Sequence, residues 1–177
     1  KGVEGLTLRE VAARLGVSPM TPYRYFKDKE DILAAIRTRA FNDFAQALEN
    51  AVKRGKDAVA KSEAAGKAYE TFAFTHPEAY RVMFDVAQED DCEDDPALAR
   101  AIERASATMS AHVKELVKEG AFDGDPELIG YVFWAAIHGL VTLKLSGKFT
   151  RRYSFNKVRR ETFRALMQGF FKQQQLQ

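Results

Sequence analysis

Cysteine is almost absent from this 177-residue chain, and Cys92 stands alone. A single thiol forms no intrachain disulfide, so the fold must rest on packing, and the composition suits a reducing cytoplasm. Proline is scarce too, and Pro19, Pro77, Pro96 and Pro126 stand where helical patterns begin, not inside them. No long apolar run is uninterrupted. The longest, Ile129 to Leu145, is broken by His138, Gly139, Thr142 and Lys144, which reads against a membrane span, and no signal-peptide pattern is visible.

The motifs of catalysis are missing as well. There is no glycine loop to cradle phosphate, no zinc spacing of Cys and His, and no nucleophile elbow. No catalytic residue, no cofactor and no metal site is therefore expected. The acidic run QEDDCEDD, residues 88–95, lacks the spacing and the turn glycine of a calcium loop and reads as a solvated connection.

What is present is helical periodicity from end to end, which predicts an all-α chain; 46% hydrophobic and 29% charged residues is the composition of an ordinary soluble globular protein, long enough for one large domain or two small ones. The net charge of +2 divides unevenly: residues 1–56 hold eleven Lys/Arg against seven Asp/Glu, and the remainder sixteen against eighteen. Basic character is concentrated in the first third, which points to an anionic partner there.

That first third contains GLTLREVAARLGVSPMTPYRYFKDKEDIL, Gly5 to Leu33. Leu8, Val11, Ala12 and Leu15 share one helical face, and Thr7 with Glu10 forms a capping box at its start. Gly16 stops the helix, and Ser18-Pro19 restarts the chain as a cap and a first helical residue. A second short helix is expected from Pro19 to about Tyr25, anchored inward by Val17, Pro22 and Phe26. Met20, Thr21, Tyr23, Arg24 and Tyr25 would then face outward beside Lys27 and Lys29. Hydroxyls, ammoniums and helix-start amides are the groups that hold DNA phosphates, and side chains at the start of a recognition helix reach base edges.

Further helices are expected over Lys29 to Lys53, Asp57 to Thr75, Pro77 onward, Pro96 to Glu119, Pro126 to Ser146 and Phe155 to Lys172. Gly55 in KRGK marks a domain boundary, giving 1–52 as a DNA-binding domain with its connecting helix and 53–177 as a second helical domain. Phe72, Phe74, Tyr80, Met83 and Phe84 read as an aromatic and thioether cluster, either plain core or the wall of an apolar pocket. The helix beginning at Pro126 is apolar on nearly every side and needs more cover than one small domain supplies. A second copy, meeting it and the last helix (about 126–146 and 155–172), would make a four-helix interface.

The first stretch resembles the helix-turn-helix of the tetracycline-repressor (TetR) family, with Thr7, AARLGVS, YRYF and KDKEDIL in the family's order and spacing. Pro22 departs from a leucine often found there. Trp134, His138 and Gly139, in FWAAIHGLV, resemble the Trp-x-x-x-His-Gly signature of one subgroup's ligand-binding domain. In this family a further helix would precede Lys1. The resemblance implies that Arg9, Ser18, Met20 and Thr21 face bases or the nearby backbone while Thr7, Tyr23, Tyr25 and Lys29 hold phosphates. It also implies an effector pocket drawn from Tyr69, Phe72, Tyr80, Met83, Phe84, Met109, His112, Trp134 and His138. The function implied is a cytoplasmic, homodimeric repressor that binds a near-palindromic double-stranded DNA operator and is released by a small, largely apolar effector. The rival readings are a helical carrier or adaptor with an idle helix-turn-helix, and an enzyme using the second domain's pocket.

Overall fold

The computed structural model describes residues 7–84 and 95–171. The acidic run up to Asp94, with Cys92, lies outside them. Seven α-helices follow in order: α1 Leu8–Leu15, α2 Lys29–Val52, α3 Ala58–Thr75, α4 Pro77–Phe84, α5 Pro96–Lys118, α6 Pro126–Leu145 and α7 Phe155–Phe170, with a 3-10 turn at Pro22–Arg24 between the first two. Among the described residues no strand forms, and one isolated antiparallel bridge joins Phe122 to Phe171. The chain is all-α, with an N-terminal helix-turn-helix.

Local chemistry accounts for most boundaries. The Thr7 hydroxyl accepts the Glu10 amide and donates to the Glu10 carboxylate, each at 3.2 Å. Gly16, at φ 66°, ends α1 in the left-handed conformation, where its own amide and that of Val17 turn back to close the helix. Gly16→Ala is expected to lower stability by about 1 to 2 kcal/mol, because a Cβ is penalised at that φ; a denaturant titration reads it. Asp57, Asp125 and Ser154 cap α3, α6 and α7 through their side-chain oxygens, and Asp95 does the same for α5, taking the Ala97 and Leu98 amides. Gly55 is compelled by space: a Cβ there would lie 2.7 Å from the Lys61 amide nitrogen.

The expected second helix is shorter than predicted. Pro22 has no N–H to give to the Ser18 carbonyl, and its ring would collide with that carbonyl in an α-helix. The Ser18 carbonyl instead accepts from the Thr21 amide at 2.9 Å, so a turn feeds one 3-10 turn. Pro22 is buried and Phe26 half-buried, as expected. Val17 is 40% exposed and does not anchor the turn, and Leu15, expected on the apolar face of α1, is 69% exposed.

Contacts group the chain into two compact units, residues 1–43 with 78–104, and 44–77 with 105–177. In the first, Phe84 packs edge-on to Phe41 and tilts against Tyr80. In the second, Phe44 holds Tyr69 and Phe72 at 5.2 Å each, and Phe74 packs on Phe155. Of the rings expected to cluster over residues 72–84, Phe72 thus packs on Phe44, Phe74 on Phe155, and Tyr80 and Phe84 on each other. A further core gathers Ala58, Val113, Leu116, Phe122 and Ile129.

Helix α6 alters one expectation. It is 20 residues long and apolar enough, by length and composition, to cross a membrane, and only 22% of its apolar window is buried within one chain. Ile129, Ile137, Leu140 and Val141 face inward, while Leu128, Tyr131 and Leu143 are 61%, 67% and 45% exposed. Its packing against α3 and α7 and the contact of His138 Nδ1 with the Tyr69 hydroxyl at 3.2 Å make it a member of a helical bundle with one uncovered side.

Candidate functional site

Two regions hold the residues singled out from the sequence. At the helix-turn-helix, Pro22 is the inward pin and the chain around it is turned out. Met20 is 67%, Tyr23 45% and Tyr25 71% exposed. Arg9 and Ser18 are exposed, whereas Thr21 and Lys29 are half-buried. The Ser18 hydroxyl accepts the Met20 amide at a long 3.4 Å, and the Thr7 hydroxyl is engaged as the α1 cap. Just beyond, Asp28 takes the Asp31 amide and Asp31 reaches back to the Lys27 amide, at 2.9 and 3.0 Å. These two bonds fix where α2 starts and hence where Lys27 and Lys29 stand. Exposed tyrosine rings and a methionine beside basic side chains form a surface with apolar reach and phosphate-binding hydroxyls.

The second region is a cavity of about 50 Å³ inside the second unit. Tyr69, Met109, His112 and Trp134 from the expected pocket line it. Ser62, Ala65, Gly66, Gly130, Phe133, Ile137 and Phe163 complete the wall. Phe72 is packed on Phe44 instead, and Tyr80, Met83 and Phe84 belong to the first unit. His138 does not line the cavity but touches its wall through Tyr69. The one sequence signal for the missed residues was glycine without a turn: Gly66 and Gly130 sit inside α3 and α6, where the lack of side chains leaves space.

His112 is the polar feature of this wall. It is 8% exposed, and its Nδ1 has no hydrogen-bond partner. Burial pushes its pKa down from 6.5 to about 4, opposed by the Glu115 carboxylate and the Thr108 carbonyl one turn back, and assisted by the Lys61 ammonium. That carbonyl favours a proton on the ring without meeting Nδ1 in good geometry. Lys61 is itself held by both Glu115 oxygens, at 2.8 and 3.0 Å. No Asp, Glu, Lys or Arg lines the cavity, so it is an apolar space with a neutral imidazole in its side. The described residues contain no group of three His, Cys, Asp or Glu able to hold a metal.

Comparison with known proteins accords with both regions. Residues 1–36 match the bacterial regulatory proteins of the tetR family, and residues 62–170 match the tetracyclin repressor-like C-terminal domain. An uncharacterised HTH-type transcriptional regulator of Mycobacterium tuberculosis is 28% identical over 151 residues, 83% of this chain and 64% of the relative. The chain thus spans less than two thirds of that relative's length. Among solved structures, a protein of unknown function from Rhodococcus sp. RHA1 superposes with a TM-score of 0.80 at 27% identity, over 96% of this chain and 87% of the other. A TetR family transcription regulator from Marinobacter aquaeolei VT8 shares the fold with a TM-score of 0.70 at 20% identity, over 95% and 86%. With the two family matches together spanning most of its length, the chain belongs to the TetR family of helix-turn-helix transcriptional regulators.

Proposed function

We propose that this regulator binds a near-palindromic operator as a homodimer, represses from it, and is released when a small, largely apolar effector enters the cavity of the second unit. The observation that carries the DNA reading is the outward set of Met20, Tyr23 and Tyr25 around a buried Pro22. Such a surface is costly in water unless a partner covers it. Thr7, Tyr23, Tyr25 and Lys29 would hold phosphates, while Arg9, Ser18, Met20 and Thr21 would lie toward the bases.

Helices α6 and α7 would form the dimer. Supporting this, an added Cβ at Gly139 or Gly169 meets nothing within 4 Å of its own chain. A mid-helix glycine costs about 1 kcal/mol against alanine; Gly169 is the penultimate residue of α7, and nothing among the described residues requires a glycine at Gly139 inside α6. Close approach of a second backbone would. Leu128, Tyr131, Ala135 and Thr142, all exposed on α6, supply the rest of the face.

Effector and dimer would be linked through the same two helices, α6 and α7. At about 50 Å³ the cavity has room for one or two waters, against roughly 300 Å³ or more for ordinary ligand sites. An effector must therefore displace Phe133, Trp134 or Phe163, which stand on α6 and α7. A ligand that fits only the opened arrangement shifts the population toward it, and no other device is needed.

DNA docking is tested by salt titration on an operator fragment selected from random sequence. Lys29→Ala should weaken binding to every sequence and reduce the slope of log affinity against log salt by about 2 per dimer, one for each head. Tyr23→Ala should weaken binding about tenfold with the slope unchanged, since a hydroxyl releases no counterion. Substitutions at Met20 should change base preference instead. Wild-type affinity and slope in Lys29→Ala would refute the docking.

A further inference from the structure

We propose that the cavity of the second unit selects an uncharged, mainly apolar molecule carrying a hydroxyl, which bonds to His112, and that it rejects carboxylates of the same shape. The proposal rests on the effector reading above and gives that effector a chemical class.

Three observations meet here. First, His112 is more than nine-tenths buried in the cavity wall, and its Nδ1 lacks a partner. The ring stands in the cavity wall, and a buried polar group left without a partner is costly, so a ligand that bonds to the imidazole is favoured over one that merely fills space. Second, nothing in the wall offsets an anion. The nearest ammonium, Lys61, is bound by both oxygens of Glu115, and the imidazole is uncharged near neutral pH because its pKa lies at about 4. A carboxylate would have to shed its water and receive no positive charge in return. A ligand ammonium would likewise find only neutral groups in the wall. Third, the rest of the wall is uncharged and mostly apolar: beside the Ser62 and Tyr69 hydroxyls and the Trp134 indole stand Phe133, Ile137, Phe163 and Met109, whose flexible thioether yields to varied shapes.

A hydroxyl is the group that suits this wall because it both donates and accepts. A neutral imidazole has one nitrogen of each kind, and whichever of them faces the ligand is then satisfied. The hydroxyl carries no charge into the apolar space, and the body of the molecule gains the burial.

Trp134 is the chain's single tryptophan and stands in the cavity wall, so its fluorescence reports occupancy directly. The full chain is titrated near neutral pH with 1-octanol, octanoate and 1-chloroheptane, three probes of similar length that are transparent where tryptophan absorbs. The alcohol should bind at least about tenfold more tightly than the carboxylate. His112→Leu, which removes within the fold only the ring's approach to the Thr108 carbonyl, should weaken the alcohol by about three- to tenfold and leave the chloride unchanged or tighter. Circular dichroism checks that the variant keeps its helices.

Octanoate binding as tightly as the alcohol would overturn the proposal while leaving the effector reading in place. So would a His112→Leu variant that still prefers alcohol over chloride to the wild-type degree. If no probe changes the Trp134 signal up to its solubility limit, the cavity is not an effector site, and both readings fall.

Discussion

Ala135→Glu should convert a two-headed protein into a single-headed one. The residue is exposed midway along α6, so a glutamate there harms nothing within one chain. In a dimer about a two-fold axis each copy would bring a carboxylate into an apolar contact, near its mate, with no cation provided. The sedimenting mass should fall from two chains to one with helicity retained. Affinity for the selected operator should then drop by about 100- to 10,000-fold, because the second head no longer binds as a tethered partner. Retention of the dimer mass would place the interface elsewhere and remove the role assigned to Gly139 and Gly169.

Acid should destabilise the fold through His112. The folded ring's pKa of about 4 lies below the ordinary 6.5, so between those values the unfolded chain holds a proton that the folded chain does not. Stability contributed by this group is complete above pH 6.5, falls as the pH drops through the window, and is lost by about pH 4. The full loss is roughly 3 kcal/mol, at up to about 1.4 kcal/mol per pH unit. Carboxylates and other histidines titrate in part of the same range, so the relevant quantity is the difference from His112→Gln, measured by urea unfolding at several pH values. Between pH 7 and pH 4 the wild type should lose roughly 3 kcal/mol more than the variant, whatever the offset between them at pH 7. Parallel curves for the two proteins would show that His112 is not held neutral by burial.

The sequence disclosed helices better than it disclosed faces. Capping residues and glycines mark chain geometry locally, which is why Thr7, Gly16, Asp57, Asp95 and Asp125 located boundaries to within a residue or two. The turn around Pro22 misled because a proline three residues into a short helix removes one of very few bonds, a loss a longer helix absorbs more easily. Of the aromatic residues that the sequence groups in one cluster, Tyr80 and Phe84 pack on each other, whereas Phe72 packs on Phe44 and Phe74 on Phe155. Which ring meets which is decided by long-range packing, which helical periodicity does not encode. The cavity was half legible. Tyr69, Met109, His112 and Trp134 stood out as chemically distinct residues, whereas Gly66 and Gly130 contribute space, and space has no side chain to notice. The sequence names His112 only as one candidate pocket residue; its open Nδ1 becomes visible only once its neighbours are placed.

Selection of bound fragments from random double-stranded DNA, at physiological salt and with the full chain, tests the central claim most directly. Two heads carried on one dimer should enrich a near-palindrome whose half-sites are centred about one helical turn apart or a small multiple of it. Enrichment of a lone, unpaired half-site, or no enrichment above non-specific binding, would contradict the account.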